Sequence, residues 1–155
     1  GDIEKLPLNV QERLQQCKEI DSDFITVSNN LKEYIYDITA GFGADVCITA
    51  CPAPSAQTLA LEICGLNGRI NFFGGVPASK QPVGINTNLV HYKQLIISGT
   101  TRSSLNQFRK TLGFIADGLL DIDALVTHTY PLNNITAAFD NAAQAKGLKH
   151  VICKD

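Results

Sequence analysis

The chain has no methionine, no apolar run of the length that spans a bilayer, and no excess of charge of either sign. Each absence excludes something. A membrane-embedded protein is excluded by the lack of a span, and the opening "GDIEKLPLN" has neither the basic start nor the apolar stretch of a secretory leader. A formal net charge of −2 offers no basic field for a nucleic acid or an anionic membrane, and neither is expected as a partner. The expectation is a soluble, cytoplasmic protein. A methionine-free chain opening at Gly1 is further expected to be a processed, truncated or excised piece. With 155 residues, 45% hydrophobic and 18% charged, the chain can form one compact domain, alone or with an appendage.

Cysteine is present in odd number, at 17, 47, 51, 64 and 153, mostly inside apolar segments. These thiols read as reduced core residues, small hydrophobes in a reducing compartment. Cys47 and Cys51 stand four apart with no second pair at zinc-ribbon spacing, so no metal site is expected from them.

Short apolar runs alternate with helical stripes, the pattern of an α/β protein with a parallel sheet. "FITVS" (24–28), "DVCITAC" (45–51), "RINFFGG" (69–75) and "QLIISGT" (94–100) are β-branched or aromatic runs bounded by turn residues, and predict four strands. Leu31, Ile35 and Ile38 make one helical stripe, and Ala56, Leu59, Ala60, Ile63 and Cys64 a second; both must cover a sheet. A third runs through Leu105, Phe108, Leu112, Ile115 and Leu119 and stops at Gly118 and its neighbouring acids. Helix starts are predicted at three capping pairs: Asn9 with Glu12, Asn30 with Glu33, and Ser104 with Gln107. Beyond them, "LVTHTYPL" and "LKHVICKD" predict two further strands, with a short stripe (Ile135, Ala138, Phe139, Ala142) between.

In such a sheet ligands bind beyond the carboxyl ends of the strands, where helix N-termini converge. Gly74 and Gly75 fall there, as do Ala50 with Cys51-Pro52, and Gly99 with the hydroxyls that follow it. Two readings are open for the glycine pair: a flat ligand lying against bare main chain, or a tight turn needing positive φ. Thr100 and Thr101 read equally as ligand contacts or as solvated turn residues.

The segments "GADVCITACPAPSAQTLALEICGLNGRINFFGG", "TNLVHYKQLIISGTTRSS" and "LVTHTYPLNNITAAFDNAAQAKGLKHVI" resemble the carboxyl-terminal half of medium-chain zinc-dependent dehydrogenases, particularly sorbitol and related polyol dehydrogenases, from about Asn9 onward. The resemblance implies a Rossmann-like, doubly wound parallel sheet lacking its first strand and glycine-rich turn, with a partial dinucleotide-binding domain over 1–102. It also implies a helix-strand-helix-strand segment over 103–155 that packs on a catalytic domain in the family. The implied cofactor is NAD(H) or NADP(H). Ala50, Cys51 and Pro52 would lie near its adenosine half, and Phe73 and Gly74 would flank the nicotinamide. Thr100, Thr101 and Arg102 would sit beside the carboxamide, chiefly through backbone groups. Lys149 would meet the pyrophosphate, a role suited to a point charge, although a solvated lysine at a strand start is the equal alternative.

The activity implied for the parent is hydride transfer between a secondary alcohol of a sugar alcohol and nicotinamide, assisted by a catalytic zinc. This chain carries neither the family's His-Glu pair nor its cluster of four cysteines, and His91, His128 and His150 read as structural. No catalytic residue is therefore assigned, zinc would belong to the parent and not to this chain, and the missing N-terminal catalytic half becomes the expected partner. The fragment alone would be inactive; the alternative is a non-catalytic α/β module. No G-x-G-x-x-G turn is present, and the acid that reads the ribose hydroxyls would fall near Leu8, so NAD and NADP are not distinguished. The absent first strand would leave a slot, which Gly1–Leu8, closure of two sub-sheets or a strand from another chain must fill. The long, uncharged 94–100 strand is a sheet edge through which a homo-oligomer is expected to form.

Overall fold

The computed structural model describes residues 3–27 and 29–154. They form two compact units: one is Asn29–Arg102, and the other joins the chain before Asn29 to the chain from Ser103 onward.

The Asn29–Arg102 unit carries a parallel sheet of three strands, β1 (Ala44–Ile48), β2 (Cys64–Phe72) and β3 (Ile96–Gly99), in the order β1-β2-β3. Helices α2 (Leu31–Ile38), α3 (Pro54–Ile63) and α4 (Thr87–Tyr92) connect and cover them, following α1 (Leu8–Ile20) of the other unit. Alternation sets the core: Cys47, Cys64, Ile70 and Leu95 point inward against Ala60, Leu61 and Ile63 of the α3 stripe. Pro54 opens α3 at a position where a missing N–H costs nothing.

The second strand begins at Cys64, five residues before the "RINFF" run that predicts it, and α3 passes into it without a glycine. Lys93 explains how. Its ammonium donates to the carbonyls of Leu61 (3.2 Å), Glu62 (2.7 Å) and Cys64 (2.8 Å) and lies 3.3 Å from the Tyr36 hydroxyl, which itself donates to Glu62 O (2.8 Å). These are carbonyls that a helix terminus leaves without partners, and a cation is the favourable charge there.

The other unit contains α1, α5 (Leu105–Ala116), β4 (Val126–Pro131), α6 (Ile135–Ala143) and β5 (Lys149–Cys153), with β4 and β5 paired in parallel. Of the three predicted capping pairs one forms: Ser104 Oγ accepts from the Gln107 N–H (3.2 Å) while Gln107 Oε1 accepts from the Ser104 N–H (2.8 Å). Asn9 instead lies inside α1, because the Pro7 carbonyl already accepts from Val10 and Gln11 and starts the helix earlier. Asn30 does precede α2, but in the left-handed conformation, with no side-chain cap bond.

Two further expectations are corrected. Phe24–Val27 of the predicted "FITVS" strand belong to no strand, and Ser28 lies outside the described residues. A strand needs a neighbour for its backbone groups; here no described strand pairs with the segment, and Phe24 closes a turn at Asp21, whose carbonyl accepts from the Phe24 N–H (3.0 Å) and whose carboxylate accepts from the Asp23 N–H (2.9 Å). The α5 stripe is left largely uncovered: Leu105, Phe108, Leu112 and the following Leu119 are exposed, and Ile115 is half-buried. Nor are all the cysteines core residues: Cys47 and Cys64 are buried, Cys17 is half-buried, and Cys51 and Cys153 are exposed, all five as free thiols.

Neither internal way of filling the slot is realised among the described residues. Ile3–Lys5 is a single 3-10 turn and Leu8 opens α1, so this segment adds no strand, and no described strand pairs with the outer edge of β1. Ile48 on that edge is 63% exposed. A mainly apolar hollow of about 290 Å³ runs along it, bounded by Leu31 and Ile35 of α2 and by Ala56 and Leu59 of α3. No helix among the described residues is long and apolar enough to cross a membrane.

Candidate functional site

The three parallel strands of the Asn29–Arg102 unit stay in register past their last residues, which sets the geometry of their carboxyl-terminal rim. The Thr49 N–H donates to Asn71 O (3.0 Å) and the Gly74 N–H to Thr49 O (2.7 Å), zipping the β1 and β2 exits together. The Thr100 N–H donates to Phe72 O (3.3 Å) and does the same for β3. Eight of the nine residues singled out from sequence therefore come out at one end of one sheet. Ala50, Cys51 and Pro52 follow β1, Phe73 and Gly74 follow β2, and Thr100, Thr101 and Arg102 follow β3. Lys149 does not join them: it opens β5 in the other compact unit, where its carbonyl accepts from the Thr127 hydroxyl (3.2 Å).

The question of the glycine pair has a specific answer. A Cβ at Gly74 would lie 2.8 Å from both the N and the O of Cys51, so what forbids a side chain there is the chain's own β1 exit. Neither glycine has a positive φ, which removes the tight-turn reading as well. At Gly75 and Gly99, by contrast, nothing lies within 4 Å of the Cβ position. Bare main chain is thus open to the outside at the exits of β2 and β3. Phe73 stands exposed beside it, and Arg102 has a positive φ of 57°.

A polar chain crosses the rim that the sequence reading missed. Asn71 Nδ2 donates to Ser98 Oγ (3.1 Å), Ser98 Oγ donates to Ile70 O (3.3 Å), and Thr100 Oγ1 donates to Asn71 Oδ1 (3.1 Å). One signal pointed to it: an asparagine inside the apolar strand "RINFF", where the residue is disfavoured. Thr49 is a second omission, since it is only 6% exposed and its hydroxyl has no hydrogen-bond partner.

The buried thiols behind the rim are chemically quiet. Burial pushes the Cys47 thiol up to about 12, reinforced by Cys64 beside it, and burial raises Cys64 as well. The histidines sit in one helix and two strands, as read from sequence. His91 lies in α4, while His128 and His150 stack 4.8 Å apart across β4 and β5. Tyr130 extends that ladder and hydrogen-bonds His150 Nδ1 (3.3 Å). Among the described residues no three His, Cys, Asp or Glu side chains gather as a metal-binding group. The donor set of the described residues does not fit a zinc ion.

An α/β domain whose parallel strands end together at an open main-chain rim is the class that this architecture defines. The chain belongs to the zinc-binding dehydrogenase family, whose sequence profile matches residues 9–117. It is 33% identical over 112 residues to an L-threonine 3-dehydrogenase from Caldanaerobacter subterraneus, covering 68% of this chain and 32% of that protein. It is 23% identical over 144 residues to a sorbitol dehydrogenase from Halalkalibacterium halodurans, covering 91% of this chain and 41% of that one. An alcohol dehydrogenase from Escherichia coli CFT073, solved with its cofactor NADH, superposes with a TM-score of 0.76 at 21% identity, covering 91% of this chain and 41% of that one. The chain thus spans less than half the length of these relatives.

Proposed function

We propose that the chain is the cofactor-domain portion of an NAD(P)-dependent zinc alcohol or polyol dehydrogenase, in which hydride passes between a secondary alcohol of a sugar alcohol and a nicotinamide. The observation that carries the reading is the rim itself: three level strand ends, with the main chain open at Gly75 and Gly99. A flat ring can approach a backbone only where Cβ atoms are missing. These residues fit a nicotinamide by that criterion, and the bound cofactor would supply the hydride acceptor. Phe73 and Gly74 flank the ring, Thr100, Thr101 and Arg102 hold its carboxamide side, and Ala50, Cys51 and Pro52 receive the adenosine half. The groups that polarise the alcohol belong to an amino-terminal catalytic half, whose strand would take the free edge of β1. Five free thiols fit a reducing, cytoplasmic setting for this chemistry.

Heteronuclear NMR titration of the chain with NADH tests the proposal. Weak binding is expected, because no G-x-G-x-x-G turn is present to cradle the pyrophosphate, with shift changes at Gly74, Gly75 and Thr100 and no turnover of sorbitol. Shift changes confined to other parts of the chain, or none at millimolar NADH, would overturn it.

A second reading, a non-catalytic α/β module that dimerises through β3, is favoured by one observation: β3 is an edge of its sheet, with Ile96 exposed. Edge pairing of this kind is also compatible with the enzyme reading. Sedimentation at high micromolar concentration checks it, and a monomer there would remove it.

A further inference from the structure

The hydrogen bonds across the rim run in one direction, and a backbone atom fixes that direction. Ile70 O is a carbonyl and can only accept, so the single proton of Ser98 is committed to it (3.3 Å). Ser98 Oγ must then accept from its other neighbour, which places the Nδ2 of Asn71 against it (3.1 Å) and turns Oδ1 toward Thr100. Oδ1 has no proton, so the Thr100 hydroxyl donates to it (3.1 Å). The amide orientation of Asn71 is thereby set by the network. The main chain of Thr100 is anchored beside Asn71, because its own N–H is held by Phe72 O (3.3 Å).

The consequence lies at the surface. Thr100 is exposed, its only hydroxyl proton points inward, and only lone pairs face outward. We infer that Asn71 is a positioning residue that makes the Thr100 hydroxyl a pure acceptor, so that the rim selects a ring bearing an amide N–H over the same ring bearing a carboxylate. The inference rests on the nicotinamide reading given above and sharpens it: the site distinguishes nicotinamide from nicotinic acid dinucleotides. An amide N–H₂ finds an acceptor in Thr100, whereas a carboxylate meets another oxygen with no proton between them, and polar groups left unpaired in this way carry most of such discrimination.

The test is a pair of titrations of the isotopically labelled full chain, with NADH and with its nicotinic acid counterpart, followed at the Thr100 amide resonance. The wild-type chain is expected to bind the amide form more tightly by about tenfold. Asn71→Leu frees the Thr100 proton to rotate toward the ligand, and the preference falls to within about threefold. Thr100→Val, which keeps the shape and removes the hydroxyl, lowers it likewise and decides the matter if Asn71→Leu does not fold. Equal binding of the two forms by the wild-type chain, or a full preference surviving in either folded variant, overturns the inference and leaves the nicotinamide reading standing. Absence of any shift change at the rim with either compound overturns that reading, and the inference with it.

Discussion

The two compact units treat their apolar residues in opposite ways. Among the described residues, Cys47, Ala60, Leu61, Ile63, Cys64, Ile70 and Leu95 are buried hydrophobics of the Asn29–Arg102 unit, whereas Ala138 is the corresponding residue of the other. The first closes a core because a sheet with helices packed on it can hide alternate residues and a helix stripe at once. The second has equally regular elements, yet its Phe108, Leu112 and Phe139 face outward, the last 69% exposed. Regular periodicity therefore shows which side of an element is apolar; it does not show that anything covers that side. Under the function proposed here, the catalytic half is what the second unit would meet.

The contrast can be broken most directly with a matched pair of truncations. Leu61→Ala removes a side chain that is 1% exposed and is expected to cost about 3 kcal/mol by urea denaturation. Leu112→Ala, on a side chain that is 49% exposed, is expected to cost less than about 0.5 kcal/mol. Similar losses would mean that α5 is covered in solution, and the comparison would fail.

A smaller effect separates the way helices end in the two units. Lys93→Met keeps the length of the side chain but leaves three carbonyls at the α3-β2 junction without their cation. The expected cost is about 2 kcal/mol, read in the same denaturation experiment. In α5 of the other unit the turn to αL is made by Gly118, at φ 70°, with its N–H donating to Ile115 O (3.0 Å). A loss of stability below about 0.5 kcal/mol for Lys93→Met would show that water replaces the ammonium without cost.

The smallest effect is a pH dependence confined to the first unit. The Cys47 thiol lies above its ordinary value of 9.0, at about 12, because burial disfavours the thiolate. The folded value exceeds the unfolded one, so this contribution to stability is complete below about pH 9 and is lost as the pH climbs toward about 12. The melting temperature should therefore decline over that range, and less steeply in Cys47→Ala. At pH 8 a thiol reagent should modify exposed Cys51 and Cys153 well before Cys47; equal rates would show that the core of the first unit opens freely.

Much of the first unit was legible beforehand. "DVCI", "RINF" and "IISG" are strands because β-branched and aromatic residues recur there between turn residues, and the rim follows from their running parallel. Asn71 could be noticed as polar in an apolar run, but its partners Ser98 and Thr100 lie on β3 and just beyond its end, and only the register Asn71 to Ser98 brings them together. Gly74 shows the same limit from the other side. Its need for a bare Cα was readable, whereas the atom responsible, the Cys51 main chain, is far off in sequence and adjacent in space. "FITVS" failed for a related reason: its composition is that of a strand, but a strand exists only beside another.

Local chemistry was thus written in the sequence: the stripes of the helices, the Ser104–Gln107 box, the parallel class of the sheet and the resemblance to the dehydrogenases. Composition and spacing act over a few residues, which is the range over which helix and strand periodicity are defined. Which edges stay unpaired, which stripes find a cover and which way the protons point across the rim were decided by tertiary structure alone, because each depends on a partner atom that no local pattern specifies.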